Sequence, residues 1–120
     1  MTHVSLSDQQ MIKELKQGRE QLLSGTSSRT LLHALRRRLQ SITRDIYILS
    51  CIPEQSEDLY DVLVDGVIVV HVEIPRGRQS AEEAFQIWPV EEYVRKKLER
   101  PKRRMLELAL RLSVAERAKN

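Results

Sequence analysis

The chain reads as an α+β protein: two N-terminal helices, a three-stranded antiparallel β-meander, then C-terminal helices. Three observations predict it. The apolar period changes from about 3.6 to about 2 near Arg44. An Asp-Gly pair, Asp65-Gly66, separates two β-branched runs. Apolar residues then return to helical spacing after Pro89. Helices, strands and helices in separate blocks are the order of an α+β fold rather than of alternating βαβ units.

Each element has its own signal. Ser5 or Ser7 caps the first helix, with Asp8 or Gln10 completing a capping box. Met11, Ile12, Leu15, Arg19, Leu22 and Leu23 follow at helical spacing, and Gly25 ends the run. Ser27 or Ser28 caps a second helix, which carries Leu31, Leu32, Leu35, Leu39 and Ile42 on one side and Arg36, Arg37 and Arg38 on its flank. The short loop between the two predicts antiparallel neighbours.

The strands are Ile46 to Ile52, closed by Pro53, then Leu59 to Val64, then Val67 to Ile74. A two-residue type I′ turn at Asp65-Gly66 pairs Val64 with Val67, Val62 with Val69 and Tyr60 with His71. This register puts Asp61 on one face and His71 and Glu73 on the other. Both faces are largely apolar, so both require cover. Ser80-Ala81-Glu82-Glu83 reads as a capping box opening a short helix through Phe85 and Ile87. Pro89 and Pro101 suit the first positions of two further helical pieces, 90–100 and 102–119.

Composition limits the function classes. With 120 residues, 41 % hydrophobic and 31 % charged, the chain has the content of a single folded domain, not of a disordered segment. One cysteine, Cys51, allows neither an intrachain disulfide nor a thiolate zinc site; on a strand it is expected to face the core. The first residues lack the basic start and apolar core of a secretory signal, and the longest apolar run, 67–70, is too short to span a membrane. A soluble, cytoplasmic protein without a bound cofactor is expected.

Charge is segregated. The formal net charge of +3 hides six acids and no Lys or Arg in 51–75, against ten Lys or Arg and three acids in 95–120 and five Arg and one Asp in 25–50. The run Arg95, Lys96, Lys97, Arg100, Lys102, Arg103 and Arg104, with Arg36 to Arg38, is the candidate surface for an anionic partner, nucleic acid or an acidic protein. No helix-turn-helix pattern accompanies it, and the neighbouring aromatics, Trp88 and Tyr93, are too few for a stacking platform. Leu106, Leu110 and Val114 form a second apolar arc on the last helix, about 100° from its core stripe, which predicts a homodimer interface.

Asp61 is the residue out of place, a carboxylate within an apolar strand. It is expected either to pair with an arginine of the second helix or to act as a metal-binding or catalytic carboxylate of raised pKa. With His71-Val72-Glu73-Ile74-Pro75-Arg76 on the next strand, it resembles in outline the acidic pair of PD-(D/E)xK nucleases. That resemblance implies a divalent-metal-dependent nuclease using Asp61 and Glu73. Pro75 stands where the motif has its lysine, and the register above separates the two acids. His3, His33 and His71 show no metal-ligand spacing, and Gly25 to Arg29 reads as a helix–helix turn, not a phosphate loop. The favoured expectation is a non-enzymatic binding protein engaging an anionic partner through its basic helices. Pairing through the hairpin edge is a further alternative.

Overall fold

The computed structural model describes residues 6–25, 29–76 and 84–118. Its elements are α1 (Leu6–Ser24), α2 (Arg29–Arg38), β1 (Ile46–Pro53), β2 (Glu57–Val64), β3 (Ile68–Pro75), β4 (Ala84–Pro89), α3 (Val90–Tyr93) and α4 (Arg100–Ala118). The strands form one antiparallel sheet in the order β1-β2-β3-β4. The α+β class therefore holds, with four strands instead of three.

The fourth strand replaces the short helix expected through Phe85 and Ile87. Ala84 to Pro89 pair with Glu73 to Ile68, so the alternation Phe85-Gln86-Ile87-Trp88 sets Phe85 and Ile87 opposite Val72 and Val70, and Gln86 and Trp88 opposite His71 and Val69. Four alternating residues are too short a run to distinguish from a helical turn by period, and pairing with β3 decides between them. The expected capping box at Ser80 to Glu83 lies outside the described residues, as do the cap candidates Ser5, Ser27 and Ser28. α2 ends at Arg38, before the expected Leu39 and Ile42. After Pro89 only one helical turn forms, and the helix resumes at Arg100, with Pro101 in its first turn.

The hairpin is the decisive correction. Asp65 and Gly66 do have φ of 55° and 69°, and the Val67 N–H donates to the Val64 carbonyl at 3.2 Å, as a type I′ turn requires. Yet Val64 pairs with Ile68, so Asp61 pairs with His71 and Val62 with Val70. Val67 is an extra residue outside the ladder; its carbonyl accepts the Val90 N–H at 3.0 Å and its side chain is 55 % exposed. Shifting one residue moves every β3 side chain to the opposite face. The shift places Asp61, His71 and Glu73 together on one face and gathers Val62, Val64, Ile68, Val70, Val72 and Ile74 on the other, so Asp61 meets polar partners instead of apolar ones.

Two cores result. On one face, Val62, Val64, Val70, Val72, Ile74 and Ile46 pack against Leu31, Leu32, Ala34 and Leu35 of α2 and Leu22 of α1. On the other, Tyr47, Leu49, Leu63 and Val69 pack against Leu106, Leu108 and Ala109 of α4, Tyr93 of α3 and Leu15 of α1. α1 serves both: its N-terminal half covers the α4 face and its C-terminal half the α2 face. Arg19, between the halves, is buried and donates to the Tyr47 hydroxyl at 2.9 Å. No helix among the described residues is long and apolar enough to cross a membrane.

Candidate functional site

The α4 face of the sheet carries a polar cluster built from four elements. Asp61 of β2, 6 % exposed, accepts on Oδ1 from Nδ1 of His71 at 2.7 Å. Its Oδ2 accepts the Tyr93 hydroxyl of α3 at 2.6 Å and the Lys102 ammonium of α4 at 3.0 Å. The other imidazole nitrogen of His71 meets Oε2 of Glu73 at 2.9 Å. A carboxylate facing each ring nitrogen favours the imidazolium form, in which both nitrogens donate. Beside it lies a cavity of about 180 Å³ lined by Asp61, His71, Gln86, Tyr93, Lys96, Leu98 and Lys102.

The electrostatics follow from these bonds. Burial works against the charge of Asp61, but the donors Tyr93, His71 and Lys102 together hold its pKa below the usual carboxylate range. The raised pKa expected of a catalytic Asp61 is therefore overturned, as is its arginine partner from α2: α2 covers the opposite face, and Lys102 takes that place. Burial opposes the charge of His71 too, and its bonds to Asp61 and Glu73 outweigh burial, raising its pKa. Burial and the adjacent Asp61 carboxylate hold the Tyr93 hydroxyl protonated, well above the usual tyrosine range.

Asp61 and Glu73, expected on opposite faces, share one. The His71 imidazole lies between them and bonds both. No group of three or more His, Cys, Asp or Glu among the described residues is arranged to hold a metal ion.

The basic residues divide between the layers. Arg36, Arg37 and Arg38 are exposed on α2, on one side of the sheet, and Arg95, Lys96, Lys97, Arg100 and Arg103 are exposed on the α4 side. Two of the expected anion contacts are held by the protein's own acids: Lys102 by Asp61, and Arg104 by Asp8 at 2.6 and 3.0 Å and by Glu107 at 3.0 Å. A cation from each layer reaches β4, an edge of the sheet. The Arg38 guanidinium lies 5.3 Å from the Phe85 ring centroid, and the Lys96 ammonium 3.6 Å from that of Trp88. Phe85 and Trp88 project to opposite faces of the strand, so a cation from each layer sits on an aromatic of β4.

The expected interface arc on α4 is mostly internal. Leu106 is 2 % exposed within the core and Leu110 packs against it, which leaves Val114, 58 % exposed. α1 and α4 share that core, so the second stripe faces the fold itself. Cys51, expected in the core, is exposed at the β1 edge; an irregularity between Ile48 and Ser50 changes which side the later β1 residues take.

Sequence reading missed His71, Tyr93 and Lys102 as partners of Asp61, and Trp88 as the seat of Lys96. The available signal was the placing of Asp61, His71 and Glu73 at alternating positions of adjacent strands, which share a face once the turn carries one extra residue. No known protein family, curated protein or solved structure matches this chain.

Proposed function

We propose that the protein binds the phosphate backbone of nucleic acid along the β4 edge, without reading sequence. The observation that carries this reading is the convergence of Arg38 and Lys96, from opposite layers, on Phe85 and Trp88 of one edge strand. Exposed Arg36, Arg95, Lys97, Arg100 and Arg103 extend the positive surface on both sides. The Asp61 cluster supports it as a brace. Lys102 in the first turn of α4 and Tyr93 at the end of α3 both bond Asp61, which fixes the basic 94–103 segment against the sheet. Because cations cover the aromatics, bases have no bare ring on which to stack, and contacts to phosphate dominate.

The test is fluorescence anisotropy with a labelled oligonucleotide of about 20 nucleotides at about 50 mM salt, repeated as salt rises. Binding should weaken linearly on a log–log plot, by about 0.7 to 0.9 of slope per phosphate contacted. Arg100→Glu with Arg103→Glu should lower both affinity and slope. Arg104 is unsuited to this role because its reversal would also break the Asp8 pair. Absence of binding at low salt defeats the proposal. Equal competition by polyglutamate would assign the surface to an acidic protein instead.

A further inference from the structure

The cavity of about 180 Å³ beside Asp61 has donors on its wall that the brace does not use. Asp61 is the one carboxylate lining it, and both of its oxygens are taken, Oδ1 by His71 and Oδ2 by Tyr93 and Lys102. Glu73 answers His71 a second time. Lys96, by contrast, has no acid partner among the described residues; its ammonium lies 3.6 Å from the Trp88 ring centroid and 5.7 Å from that of Tyr93. Among those residues the Lys102 ammonium bonds Asp61 alone, which leaves two of its three N–H donors unused. Gln86 of β4 adds a side-chain amide able to donate. These donors are open to solvent: the Lys102 side chain is 30 % exposed, and Lys96 and Gln86 are exposed.

We propose that this cavity seats a phosphate monoester, its oxygens accepting from Lys96, Lys102 and Gln86. A phosphate monoester carries close to two negative charges on three acceptor oxygens, and lysine meets such a group as a compact point charge. Asp61 does not repel it strongly, because His71 and Lys102 already neutralise that carboxylate. A backbone diester has a single charge and two oxygens to offer, so it uses the same donors less fully. The source supplied by the nucleic-acid reading is the terminal phosphate of a strand lying along β4; this part of the inference, and only this part, rests on that reading.

Methyl phosphate is the small probe, titrated into the full chain at constant ionic strength while amide NMR signals are followed. At about pH 7.5 it is largely dianionic, its second pKa being about 6. Saturable shifts are expected at the Gln86 side-chain amide and at the backbone amides of Lys96 and Lys102, with dimethyl phosphate at least about tenfold weaker. In parallel, an internally labelled oligonucleotide carrying terminal phosphates should bind about tenfold more tightly than the same strand without them. Gln86→Glu, at an exposed position, sets a carboxylate against the ligand and should abolish both effects. Should that variant fold poorly, Lys96→Gln serves the same purpose by removing the unpaired cation. The absence of a saturable shift with methyl phosphate, equal shifts with dimethyl phosphate, or unchanged affinity in a folded variant overturns the site while leaving the nucleic-acid reading intact. Saturable methyl phosphate binding without tighter binding of the phosphorylated strand supports the site and assigns its phosphate to a free ester.

Discussion

The two faces of the sheet solve the same burial problem with opposite chemistry. Against α2 the core is made of Leu, Ile, Val and Ala, with Phe85 and Tyr60 at its margin. Against α4 it contains two buried tyrosines, and Asp61, Asp45, Ser113 and Arg19 are buried among the described residues of the protein. Apolar burial is non-directional and tolerates sliding, whereas Asp61 is satisfied only by donors at fixed positions. The α2 face thus supplies bulk stability, and the α4 face fixes the hairpin register and the seat of the C-terminal segment.

The largest effects should come from truncating each face. Asp61→Ala removes the acceptor shared by His71, Tyr93 and Lys102 and should cost about 3–5 kcal/mol, as loss of one partner in a buried ionic cluster does. Leu35→Ala on the α2 face should cost about 2–5 kcal/mol through the cavity left behind. The faces separate by pH: urea unfolding between pH 5 and 9 should show a pH-independent loss for Leu35→Ala and a pH-dependent one for Asp61→Ala. Equal pH profiles would contradict the division.

Gly66→Ala comes next, at about 1–3 kcal/mol. Residue 66 has φ of 69°, and a Cβ there would lie 2.5 Å from the Ser113 hydroxyl oxygen. Thermal melts would measure this cost. Because Ser113→Ala by itself takes the donor from buried Asp45, the steric part is read as the coupling between Gly66→Ala and Ser113→Ala in a double-mutant cycle. A coupling as large as the whole Gly66→Ala cost would show that the backbone conformation imposes no cost.

The smallest of these effects is the ionisation of His71. Its folded pKa is raised, so its contribution is complete below the unfolded value near 6.5 and is lost as pH rises through the folded value. Asp61 has the opposite sign: its folded pKa is lowered, and its contribution disappears as pH falls through that value. His71→Gln should remove the alkaline decline, of the order of 1 kcal/mol, while leaving the acid limb in place. An unchanged alkaline limb would mean that His71 is not the group responsible.

The sequence made the α2 face legible in most of its parts. Leucine spacing predicted α2, β-branched runs predicted β1 to β3, and Asp65-Gly66 predicted the turn with both φ values positive. What it left hidden was the single extra residue, Val67. Its placement depends on a hydrogen bond from Val90 and on Gly66 lying close to Ser113, contacts from residues more than 20 positions distant. Local pattern carries no information about either, so by itself it places Asp61 and Glu73 on opposite faces and leaves His71 an isolated sheet residue. β4 was obscured for a related reason, since six residues with one alternating stretch become a strand only by pairing with β3. The acidic and basic segregation was visible from the charges alone. That cations from both layers converge on β4 was not, because Arg38 and Lys96 lie 58 positions apart.

That convergence is tested most directly by charge reversal in each layer separately. Arg38→Glu alters α2 and Lys96→Glu alters the segment before α4, with oligonucleotide affinity measured against salt for both. Each variant should weaken binding to the same oligonucleotide and lower the salt slope by about one. If only one of them affects binding, the anionic partner lies on a single layer and the β4 edge is not its seat.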